Sequence, residues 1–339
     1  MTKARTVNVG LIGAGRIGSF HGETVARRLV DAELVSIADP APGAASKLAE
    51  TLGVDAAYTD PAELLAHPGL DAVIIATPAR FHTNLLVQAA EAGKAVFCEK
   101  PMALTLEDAE RGIAAARDAG VQLQVGFNRR WDQSFDEGHA AIRAGKIGTP
   151  QLLRSVIRDP GPFGADPAKI PLWTIFYETL IHDFDTLLWL NSDARPVEVF
   201  AMGDALVRPD ARNAGFLDTA VVTIRFDNGS IAVAEANFCA MYGYDIRGEV
   251  FGSGGMVTMG DVRRSSMTLF DKDGVSQDTW RRDTDHFVHG YTAQLASFVR
   301  AVAAGKPVEG PQGQDARGAL AIALAAIESI KSKAPVTVQ

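Results

Sequence analysis

The first third of the chain alternates short apolar runs with segments whose apolar residues recur every three or four positions. Runs of this length are typical of buried strands, and the second pattern is typical of amphipathic helices. The runs predict strands at residues 7–12, 34–38, 72–76, 95–98 and 121–125. The amphipathic segments predict helices at about 15–29, 44–52, 83–92 and 105–120. This alternation indicates βαβ units and a doubly wound parallel sheet, which is an α/β fold.

Beyond about residue 127 the pattern changes to one apolar helix followed by several short strands. The helix is predicted at about 176–190, and the strands at 197–201, 220–226, 231–236, 247–251 and 256–259. Asn228-Gly229 predicts a hairpin with a type I′ turn, because both central residues of that turn need positive φ. Helices are predicted again at about 291–304 and 314–332. We therefore expect two domains, 1–126 and 127–339, with the C-terminal helix packing back on the first.

Composition and charge exclude several classes of protein. A chain of 339 residues is long enough to bury a core in each of two domains. A net charge of −8 without a long basic run argues against nucleic acid or an anionic membrane as a partner. Two distant cysteines, Cys98 and Cys239, favour a reduced, cytoplasmic setting. We expect no membrane span, since no apolar run reaches about 18 residues, and no signal peptide, since only residues 1–6 precede the first strand.

Gly13-Ala14-Gly15-Arg16-Ile17-Gly18 directly follows the first predicted strand and opens the first helix. In a G-x-G-x-x-G fingerprint the first glycine makes a tight turn, the second admits a pyrophosphate and the third allows close packing. The N–H groups at the start of the helix then face the phosphates. The motif predicts cofactor contacts at Gly13, Gly15, Arg16, Ile17 and Gly18. A glycine-rich turn in another α/β domain is the alternative.

Asp39 ends the second predicted strand, about 20 residues beyond the glycine loop. An acidic residue at this point can accept hydrogen bonds from the adenosine ribose and would repel a 2′-phosphate. Pro40 and Ala41 follow it, so no adjacent arginine could receive such a phosphate. Asp39 therefore favours NAD over NADP. An aspartate that only caps a turn is the alternative.

Thr77-Pro78 follows the strand predicted at 72–76. Ligands of open α/β sheets bind outside the carboxyl ends of the strands, so these two residues are predicted to contact the nicotinamide side. An ordinary turn at the strand end is the alternative. The predicted cofactor-binding set is completed by His82, Glu99, Lys100 and Arg129.

Glu178, His182 and Asp185 occupy positions i, i+4 and i+7 of the helix predicted at 176–190, so they are expected to share one face. Histidine titrates near neutral pH, and carboxylates one turn away can fix its tautomer and raise its basicity. The stripe therefore predicts a proton relay. A solvated helix face or a metal site are the alternatives; no further histidine cluster supports a metal, and we expect none.

Glu99-Lys100-Pro101 follows the strand predicted at 95–98. Together with the glycine loop and His182-Asp183-Phe184-Asp185, it resembles the glucose–fructose oxidoreductase/inositol dehydrogenase (Gfo/Idh/MocA) family over nearly the whole chain. Within that family the chain is most similar to the bacterial inositol 2-dehydrogenases. This similarity is carried by Val125-Gly126-Phe127-Asn128-Arg129-Arg130-Trp131-Asp132, Arg158-Asp159-Pro160, the segment from His182 to Asp185, and Tyr242-Gly243-Tyr244-Asp245-Ile246.

The resemblance implies a Rossmann domain followed by an α+β domain with a large open mixed sheet. It also implies a homotetramer or homodimer, since such sheets often join subunits into tetramers. It implies that Lys100 contacts both cofactor and substrate hydroxyls and that His182 exchanges the hydroxyl proton. The reaction is then hydride transfer to NAD from a secondary alcohol, in which the protein supplies position and a base. A surface lysine at a strand end is the alternative for Lys100.

The predicted catalytic residues are Lys100, His182, Asp185 and Glu178, and the predicted substrate contacts are Lys100, Arg129, Asp159, Glu178, His182, Tyr244 and Tyr291. Core packing or surface pairing is the alternative for Arg129, Asp159, Tyr244 and Tyr291. Glu178 stands where many members have aspartate, and residues 161–173 also depart from the usual sequence. The expected reaction is NAD-dependent oxidation of a cyclitol or sugar, first of all myo-inositol to 2-keto-myo-inositol. An aldose or glycoside dehydrogenase, a ketosugar reductase and a non-catalytic NAD sensor are the alternatives.

Overall fold

The computed structural model describes residues 5–160, 166 and 169–339. The chain forms two compact units. The first unit runs to Trp131 and includes His289–Arg317, and the second unit comprises Asp132–Val288 and Gly318–Gln339. The predicted boundary lay after residue 126, so the second unit begins slightly later than expected. Residues 161–165 and 167–168, in the segment that departs from the family, lie outside the described residues.

The first unit contains one parallel sheet with helices between its strands. Its strands are β1 (Val7–Ile12), β2 (Ala32–Ala38), β3 (Ala56–Tyr58), β4 (Ala72–Ile75), β5 (Ala95–Cys98) and β6 (Leu123–Val125). The helices between them are α1 (Arg16–Arg28), α2 (Ala44–Leu52), α3 (Pro61–Leu65), α4 (His82–Glu91) and α5 (Leu106–Asp118). The strand order is β3-β2-β1-β4-β5-β6, and all neighbouring pairs are parallel. This order reverses between β1 and β4, which confirms the predicted doubly wound arrangement.

The second unit contains a mixed sheet. The remaining strands are β7 (Pro150–Arg158), β8 (Pro196–Asp204), β9 (Thr219–Phe226), β10 (Ile231–Asn237), β11 (Asp245–Gly252), β12 (Gly255–Met259), β13 (Arg263–Asp271), β14 (Gly274–Thr279) and β15 (Val336–Thr337). The seven-stranded sheet has the order β12-β11-β7-β10-β9-β8-β15, and β13 pairs separately with β14. β7 and β10 are parallel, whereas the other neighbouring pairs are antiparallel. The mixed sheet confirms the second half of the predicted fold class.

Further helices complete the chain: α6 (Gln133–Arg143), α7 (Ile181–Leu190), α8 (Asp283–His286), α9 (Val288–Ala304) and α10 (Gly313–Ser332). Short 3₁₀ helices lie at Ala79–Phe81, Asn128–Trp131 and Pro209–Ala214, and a π-helix lies at Ile175–Leu180. In the described part of the chain, every helix is too short or too polar to cross a membrane.

The core of the first unit combines strand residues with residues of α1, α2 and α9. Leu11, Ile37 and Phe97 are completely buried, and Leu295 and Phe298 of α9 belong to the same cluster. Each large apolar side chain buried in this way contributes about 1.5–3 kcal/mol to folding. A parallel sheet covered on both faces needs nearly continuous apolar strands, which explains why these strands were readable from the sequence.

The β9–β10 hairpin occurs where it was predicted, but its turn is different. Gly229 has a φ of 86°, whereas Asn228 does not have a positive φ. The predicted type I′ turn was therefore wrong, because that turn requires positive φ at both residues. Instead, the N–H of Gly229 donates to the carbonyl of Phe226 at 3.0 Å. The Asn228 side chain also accepts from the N–H of Ser230 at 3.0 Å, so this side chain stabilises a different turn.

Candidate active site

The glycine loop between β1 and α1 is shaped by close backbone contacts. Gly13 has a φ of 105°, and a Cβ on it would lie 2.6 Å from the carbonyl oxygen of Ala76. A Cβ on Gly18 would collide with the carbonyl oxygen of Gly13. A Cβ on Gly15, in contrast, would meet nothing within 4 Å. Gly13 and Gly18 therefore allow the close packing of the loop, whereas Gly15 borders open space.

The first turn of α1 suits an anion. Among the described residues no side chain caps this helix, and its first turn contains no acidic residue. The first N–H groups of a helix have no intrahelical partner, and together with the helix dipole they favour a phosphate at this position. Arg16 is exposed at this position, while Ile17 is half-buried against the core. The space beside Gly15 and these N–H groups fit a pyrophosphate.

Asp39 directly follows β2 and binds the glycine loop. Its Oδ2 accepts from the N–H of Ala14 at 2.7 Å, and its Oδ1 accepts from the N–H of Ala41 at 2.8 Å. The carboxylate therefore does hold a turn, as the alternative for this residue required. Each carboxylate oxygen has a second acceptor position, so the turn does not exhaust its capacity to bind a ribose.

Thr77 follows β4, and its hydroxyl has no hydrogen-bond partner among the described residues. Its Oγ1 is buried and makes no hydrogen bond to any residue that the structure describes. Buried hydroxyls without partners are rare in proteins, so this atom is a candidate contact for a ligand. Pro78 caps the 3₁₀ helix at Ala79–Phe81. His82 is buried with both ring nitrogens facing carbonyl oxygens, Nε2 at 2.7 Å from that of Thr77 and Nδ1 at 2.8 Å from that of Pro101.

Glu99, Lys100 and Pro101 follow β5, which neighbours β4. Glu99 is buried, and its Oε1 accepts from Nε2 of His21 at 2.6 Å. Its Oε2 accepts from the N–H of Lys100 at 3.2 Å. Burial alone would raise the pKa of Glu99, but the hydrogen bond and charge of His21, with the charges of Lys100 and His82, outweigh it and lower this pKa. Glu99 is therefore held inside the protein, while Lys100 is half-buried.

Arg129 and Tyr291, two predicted substrate contacts, also belong to the first unit. Arg129 lies in the 3₁₀ helix at Asn128–Trp131 and is 2% exposed. Tyr291 lies on α9 and is 6% exposed, with its ring edge-on to Phe20 and His21 at centroid distances of 5.2 and 5.7 Å. The Tyr291 ring therefore packs against the partner of Glu99.

His182 lies in the first turn of α7, directly after the π-helix at Ile175–Leu180. One continuous α-helix was predicted here, so the prediction of a helix was right and its uniform α geometry was wrong. The π-helix carries Glu178 and changes the number of residues per turn. The three residues of the predicted stripe consequently differ in exposure: Glu178 is exposed, His182 is half-buried and Asp185 is 1% exposed. The helix therefore does not present a uniformly solvated face, which was one alternative for this stripe.

The neighbourhood of His182 contains further hydrogen bonds. The carbonyl of His182 accepts from Oγ1 of Thr186 at 2.7 Å. Asp183 is completely buried and accepts from Oγ of Ser155 on β7 at 2.5 Å. Within the ranges that the structure describes, His, Cys, Asp and Glu side chains form no group of three that could hold a metal ion. Asp183 therefore anchors α7 to the sheet.

Asp159 and Tyr244 are brought together by strand pairing. The register of β7 and β11 places Arg158 opposite Asp245, so the residues just beyond each strand end are neighbours. Asp245 is 1% exposed and accepts from Tyr242 Oη at 2.6 Å and from Arg158 at 2.9 Å. Burial would raise the pKa of Asp245, but hydrogen bonds from Arg247 and Tyr242 and the charges around it lower this pKa. Asp245 thus fixes the strand ends that carry Asp159 and Tyr244, both half-buried.

His21 is the residue at this site that the sequence analysis missed. It lies on the buried face of α1, one turn after Gly18, and is completely buried. A lone histidine on an apolar helix face carries no functional signal by itself. Its partner Glu99 lies far along the chain, so only the folded structure reveals the pair.

These features define a class of protein. A doubly wound domain with an open glycine loop, followed in the chain by a mixed-sheet domain, is typical of dinucleotide-dependent oxidoreductases. The model of the Gfo/Idh/MocA oxidoreductase family with an NAD-binding Rossmann fold matches residues 7–127, and that of the family's C-terminal domain matches residues 135–258. The chain belongs to this family of NAD-binding oxidoreductases, as the sequence resemblance implied.

Relatives and solved structures are similar to this chain along almost its whole length. A myo-inositol 2-dehydrogenase of Thermotoga maritima is 37% identical over 98% of this chain and 99% of its own length. A scyllo-inositol 2-dehydrogenase (NAD⁺) of Bacillus subtilis is 34% identical over 97% and 96%. The crystal structure of a Lactobacillus casei myo-inositol dehydrogenase in complex with NAD(H) and myo-inositol superposes with a TM-score of 0.90 and 27% identity, covering 98% and 97% of the two chains.

Proposed function

We propose that this protein oxidises a secondary hydroxyl of a cyclitol with NAD⁺, and that myo-inositol is converted to 2-keto-myo-inositol. The observation that carries the proposal is the position of Lys100, which follows β5 beside the strand end that bears Thr77. A lysine at this edge of a parallel sheet lies where cofactors bind. The inositol dehydrogenase names of the relatives support a cyclitol as the substrate class.

The residues at the ends of β1, β2 and β4 would hold the cofactor. NAD⁺, when bound, accepts the hydride from the carbon that carries the hydroxyl. The open space at Gly15 would receive the pyrophosphate, Asp39 the adenosine ribose, and Thr77 Oγ1 a polar group on the nicotinamide side, with Pro78 and Arg129 nearby in the proposed set. His82 and Glu99 face protein partners, so we propose that they act by supporting Thr77 and Lys100.

Lys100 and His182 would divide the work on the hydroxyl group. Lys100 would donate a hydrogen bond from Nζ to the reacting oxygen, which stabilises the charge that develops when the proton leaves. His182 would accept that proton, because imidazole has a basicity suited to proton exchange at neutral pH. Asp185 would orient the His182 ring. Glu178 is exposed, so we propose that it reaches the substrate or His182 from the solvent side.

The remaining hydroxyls of the ring would be recognised by polar groups. Asp159 and Tyr244 are half-buried and lie on paired strand ends, which suits them to bind neighbouring hydroxyls. Arg129 and Tyr291 are almost fully buried, so their substrate contacts would be limited to an edge of each side chain. We therefore assign specificity mainly to Asp159 and Tyr244.

The test is the absorbance of NADH formed from NAD⁺ with myo-, scyllo- and chiro-inositol, glucose, galactose and xylose, with NADP⁺ in parallel. Rapid NAD⁺-dependent turnover of myo-inositol supports the proposal. Lys100→Met and His182→Ala are each expected to lower kcat by about 100-fold or more. Lys47→Met and His67→Ala, elsewhere in the first unit, serve as controls and should retain activity.

Other outcomes of this assay contradict parts of the proposal. A preference for scyllo-inositol, favoured by the Bacillus subtilis relative, would correct the substrate but keep the reaction. Turnover of a pyranose alone would make the protein an aldose dehydrogenase. Reduction of a ketosugar without oxidation of any polyol would make it a reductase. NADH binding with no turnover of any substrate would support a sensor and reject the enzyme.

We further propose that the protein forms a homotetramer or homodimer through the open face of the seven-stranded sheet. The register aligns Met256, Phe251, Leu152 and Ile231 on four neighbouring strands of this face. Their exposed fractions are 53%, 45%, 55% and 45%. A contiguous exposed apolar row of this kind marks an interaction surface, and closed homo-oligomers are the commonest assemblies.

Light scattering coupled to gel filtration tests this assembly. Leu152→Arg places a charge in the centre of the row and is expected to yield a smaller species. Val30→Arg is the control, because Val30 is 91% exposed and belongs to the first unit. A monomeric wild-type protein, or a Leu152→Arg variant of unchanged mass, would contradict an assembly through this face.

A cytoplasmic location is also proposed. Cys98 and Cys239 are free thiols, and free thiols persist most readily where disulfides are kept reduced. Fractionation of the native host, with the NAD-dependent activity as the marker, tests this. Activity in a secreted or periplasmic fraction would contradict it.

A further inference from the structure

Lys100 is flanked by two buried histidines that each bind the short segment containing it. We propose that the His21–Glu99 pair positions Lys100 for the reaction, with His82 holding the same segment from its other side. His21 and Glu99 are thus positioning residues, and neither needs to touch substrate or cofactor. This inference rests on the proposed function, since Lys100 is the group on which the positioning acts.

The first support is that each oxygen of the Glu99 carboxylate accepts one hydrogen bond. Oε1 of Glu99 accepts from Nε2 of His21 at 2.6 Å, and Oε2 accepts from the backbone N–H of Lys100 at 3.2 Å. The side chains of His21 and Glu99 are 0% and 7% exposed, so water does not compete for these bonds. The carboxylate therefore ties the backbone of Lys100 to α1, the helix that begins at the glycine loop.

The second support is that neither partner of the pair has room to turn away. A Cβ on Gly126 would lie 2.8 Å from Oε1 of Glu99, so the backbone after β6 lies close to the carboxylate. The His21 ring is packed edge-on between Phe97 and Tyr291, at centroid distances of 5.6 and 5.7 Å. Close packing of this kind fixes the orientation of both groups.

The third support comes from the opposite side of Lys100. Nδ1 of His82 lies 2.8 Å from the carbonyl oxygen of Pro101, and Nε2 lies 2.7 Å from that of Thr77. His82 is 1% exposed, so this link is also shielded from water. The backbone on both sides of Lys100 is thus fixed by buried groups, and one of these links reaches Thr77 at the adjacent strand end.

Charge gives the pair its strength. The lowered pKa of Glu99 keeps the carboxylate ionised despite its burial. A buried carboxylate needs hydrogen-bond donors, and the donors seen here are the ring of His21 and the N–H of Lys100. Removing the His21 donor would leave the carboxylate with the Lys100 N–H alone, and its orientation would no longer be defined.

The experiment compares His21→Phe, His21→Gln and Thr24→Val. Phenylalanine keeps a planar ring but removes the donor, whereas the glutamine amide can restore it. Thr24 is the matched control, since it is completely buried on the same helix, and its hydroxyl donates to the carbonyl of Phe20 and accepts from Arg28, both within one turn. The readouts are kcat and KM with the cyclitol that the wild type oxidises, the Kd for NADH, and the rate at which an amine reagent modifies Lys100 relative to Lys47 in the protein without cofactor.

We expect kcat of His21→Phe to fall about tenfold to a hundredfold, as for a lost hydrogen bond to a charged group, with the Kd for NADH within about threefold. His21→Gln should recover most of this loss, and Thr24→Val should match the wild type. The relative modification rate of Lys100 should change in His21→Phe alone. A kcat equal to that of Thr24→Val, or a loss confined to NADH affinity, overturns the proposal.

Two further measurements apply if His21→Phe does not fold or if the wild type shows no activity. If His21→Phe does not fold, Glu99→Met replaces it, because methionine fills a similar volume but has no oxygen to accept from His21 or from the Lys100 N–H. Wild-type kcat in Glu99→Met overturns the proposal. If the wild type oxidises no substrate, the proposed function fails, but the modification rates still decide whether the pair positions Lys100: an unchanged ratio in both variants rejects it.

Discussion

Replacing Gly15 with alanine is expected to weaken NADH binding while leaving the fold almost as stable as before. Gly15 caps α1 at a φ of −72°, which any residue adopts, and a Cβ there would meet nothing within 4 Å. Alanine is a poorer N-cap than glycine, but it also restricts the unfolded chain, so the unfolding free energy should change by no more than about 1 kcal/mol. The Tm would then move by about 4 °C at most.

The methyl group would, however, occupy the space proposed for the pyrophosphate. Losing one charge-assisted hydrogen bond costs about 1.5–3 kcal/mol, which raises the Kd for NADH about tenfold to a hundredfold. Gly13→Ala is expected to behave differently, because the positive φ and the contact at 2.6 Å with the backbone of Ala76 both oppose a side chain. It should lower the unfolding free energy by about 2 kcal/mol or more.

Fluorescence titration with NADH and thermal unfolding measure the two effects on the same samples. Gly43→Ala is the control for strain alone, since Gly43 has a φ of 75° and a Cβ there would meet nothing within 4 Å. It should lose stability but keep its affinity for NADH. An unchanged Kd in Gly15→Ala would refute the assignment of the open space to the pyrophosphate. Equal losses of stability in Gly13→Ala and Gly15→Ala would refute the reasoning from Cβ contacts.

Three further predictions concern single side chains. Thr77→Val should leave the Tm unchanged or raised, because a buried hydroxyl without a protein partner is removed, and should raise the Kd for NADH about twofold to tenfold. Asp39→Asn should raise kcat/KM for NADP⁺ relative to NAD⁺ about tenfold, since the negative charge that repels a 2′-phosphate is lost. Asp245 has a lowered pKa in the folded state, so it contributes stability above its unfolded pKa of about 3.9 that is lost as pH falls further. Asp245→Asn should therefore lower the Tm at pH 7 and flatten the fall of Tm below about pH 4; a fall as steep as in the wild type would contradict this role.

The fold of the first unit could be predicted because its signal is local. β1, β2, β4, β5 and β6 are apolar runs that a doubly covered sheet requires, and the helices between them have amphipathic patterns. β3 was missed because Ala56–Tyr58 has only three residues, all half-buried, and follows no strong pattern. Edges of a sheet are where such local signals are weakest.

The second unit was harder, and β7 shows why. This strand lies in the interior of the mixed sheet, between β11 and β10, yet it was not predicted. Its outward positions carry Arg154 and Arg158, which pair with Glu235 and Asp245 on neighbouring strands. A strand whose charged side chains pair with neighbouring strands has the same sequence pattern as a solvent-exposed loop. The π-helix before His182 was missed for a related reason, because its backbone pattern depends on tertiary packing rather than on local composition.

The residues of the candidate site also fall into two groups, those that the sequence could predict and those that it could not. The glycine loop, Asp39 and Thr77 could be found because each follows a predicted strand, and the sheet order then brings them to one edge. His21 could not be found, since its role depends on contact with Glu99, a residue of a distant strand end. The resemblance to the family supplied the proposed roles of Lys100 and His182, which spacing alone would have left open.

The order of the strands gives a further reason to place the reaction at Lys100. The sheet presents β2, β1, β4 and β5 as neighbours, and their carboxyl ends carry Asp39, Gly13, Thr77 and Lys100 in that order. Adjacent strands lie about 4.8 Å apart, so the row from β2 to β5 spans about 14 Å. Along NAD the adenosine ribose, the pyrophosphate and the nicotinamide follow one another in the same sequence. A dinucleotide with its ribose at Asp39 and its pyrophosphate at the glycine loop would therefore direct its nicotinamide toward Thr77 and Lys100, where we propose that the alcohol loses its hydride and its proton.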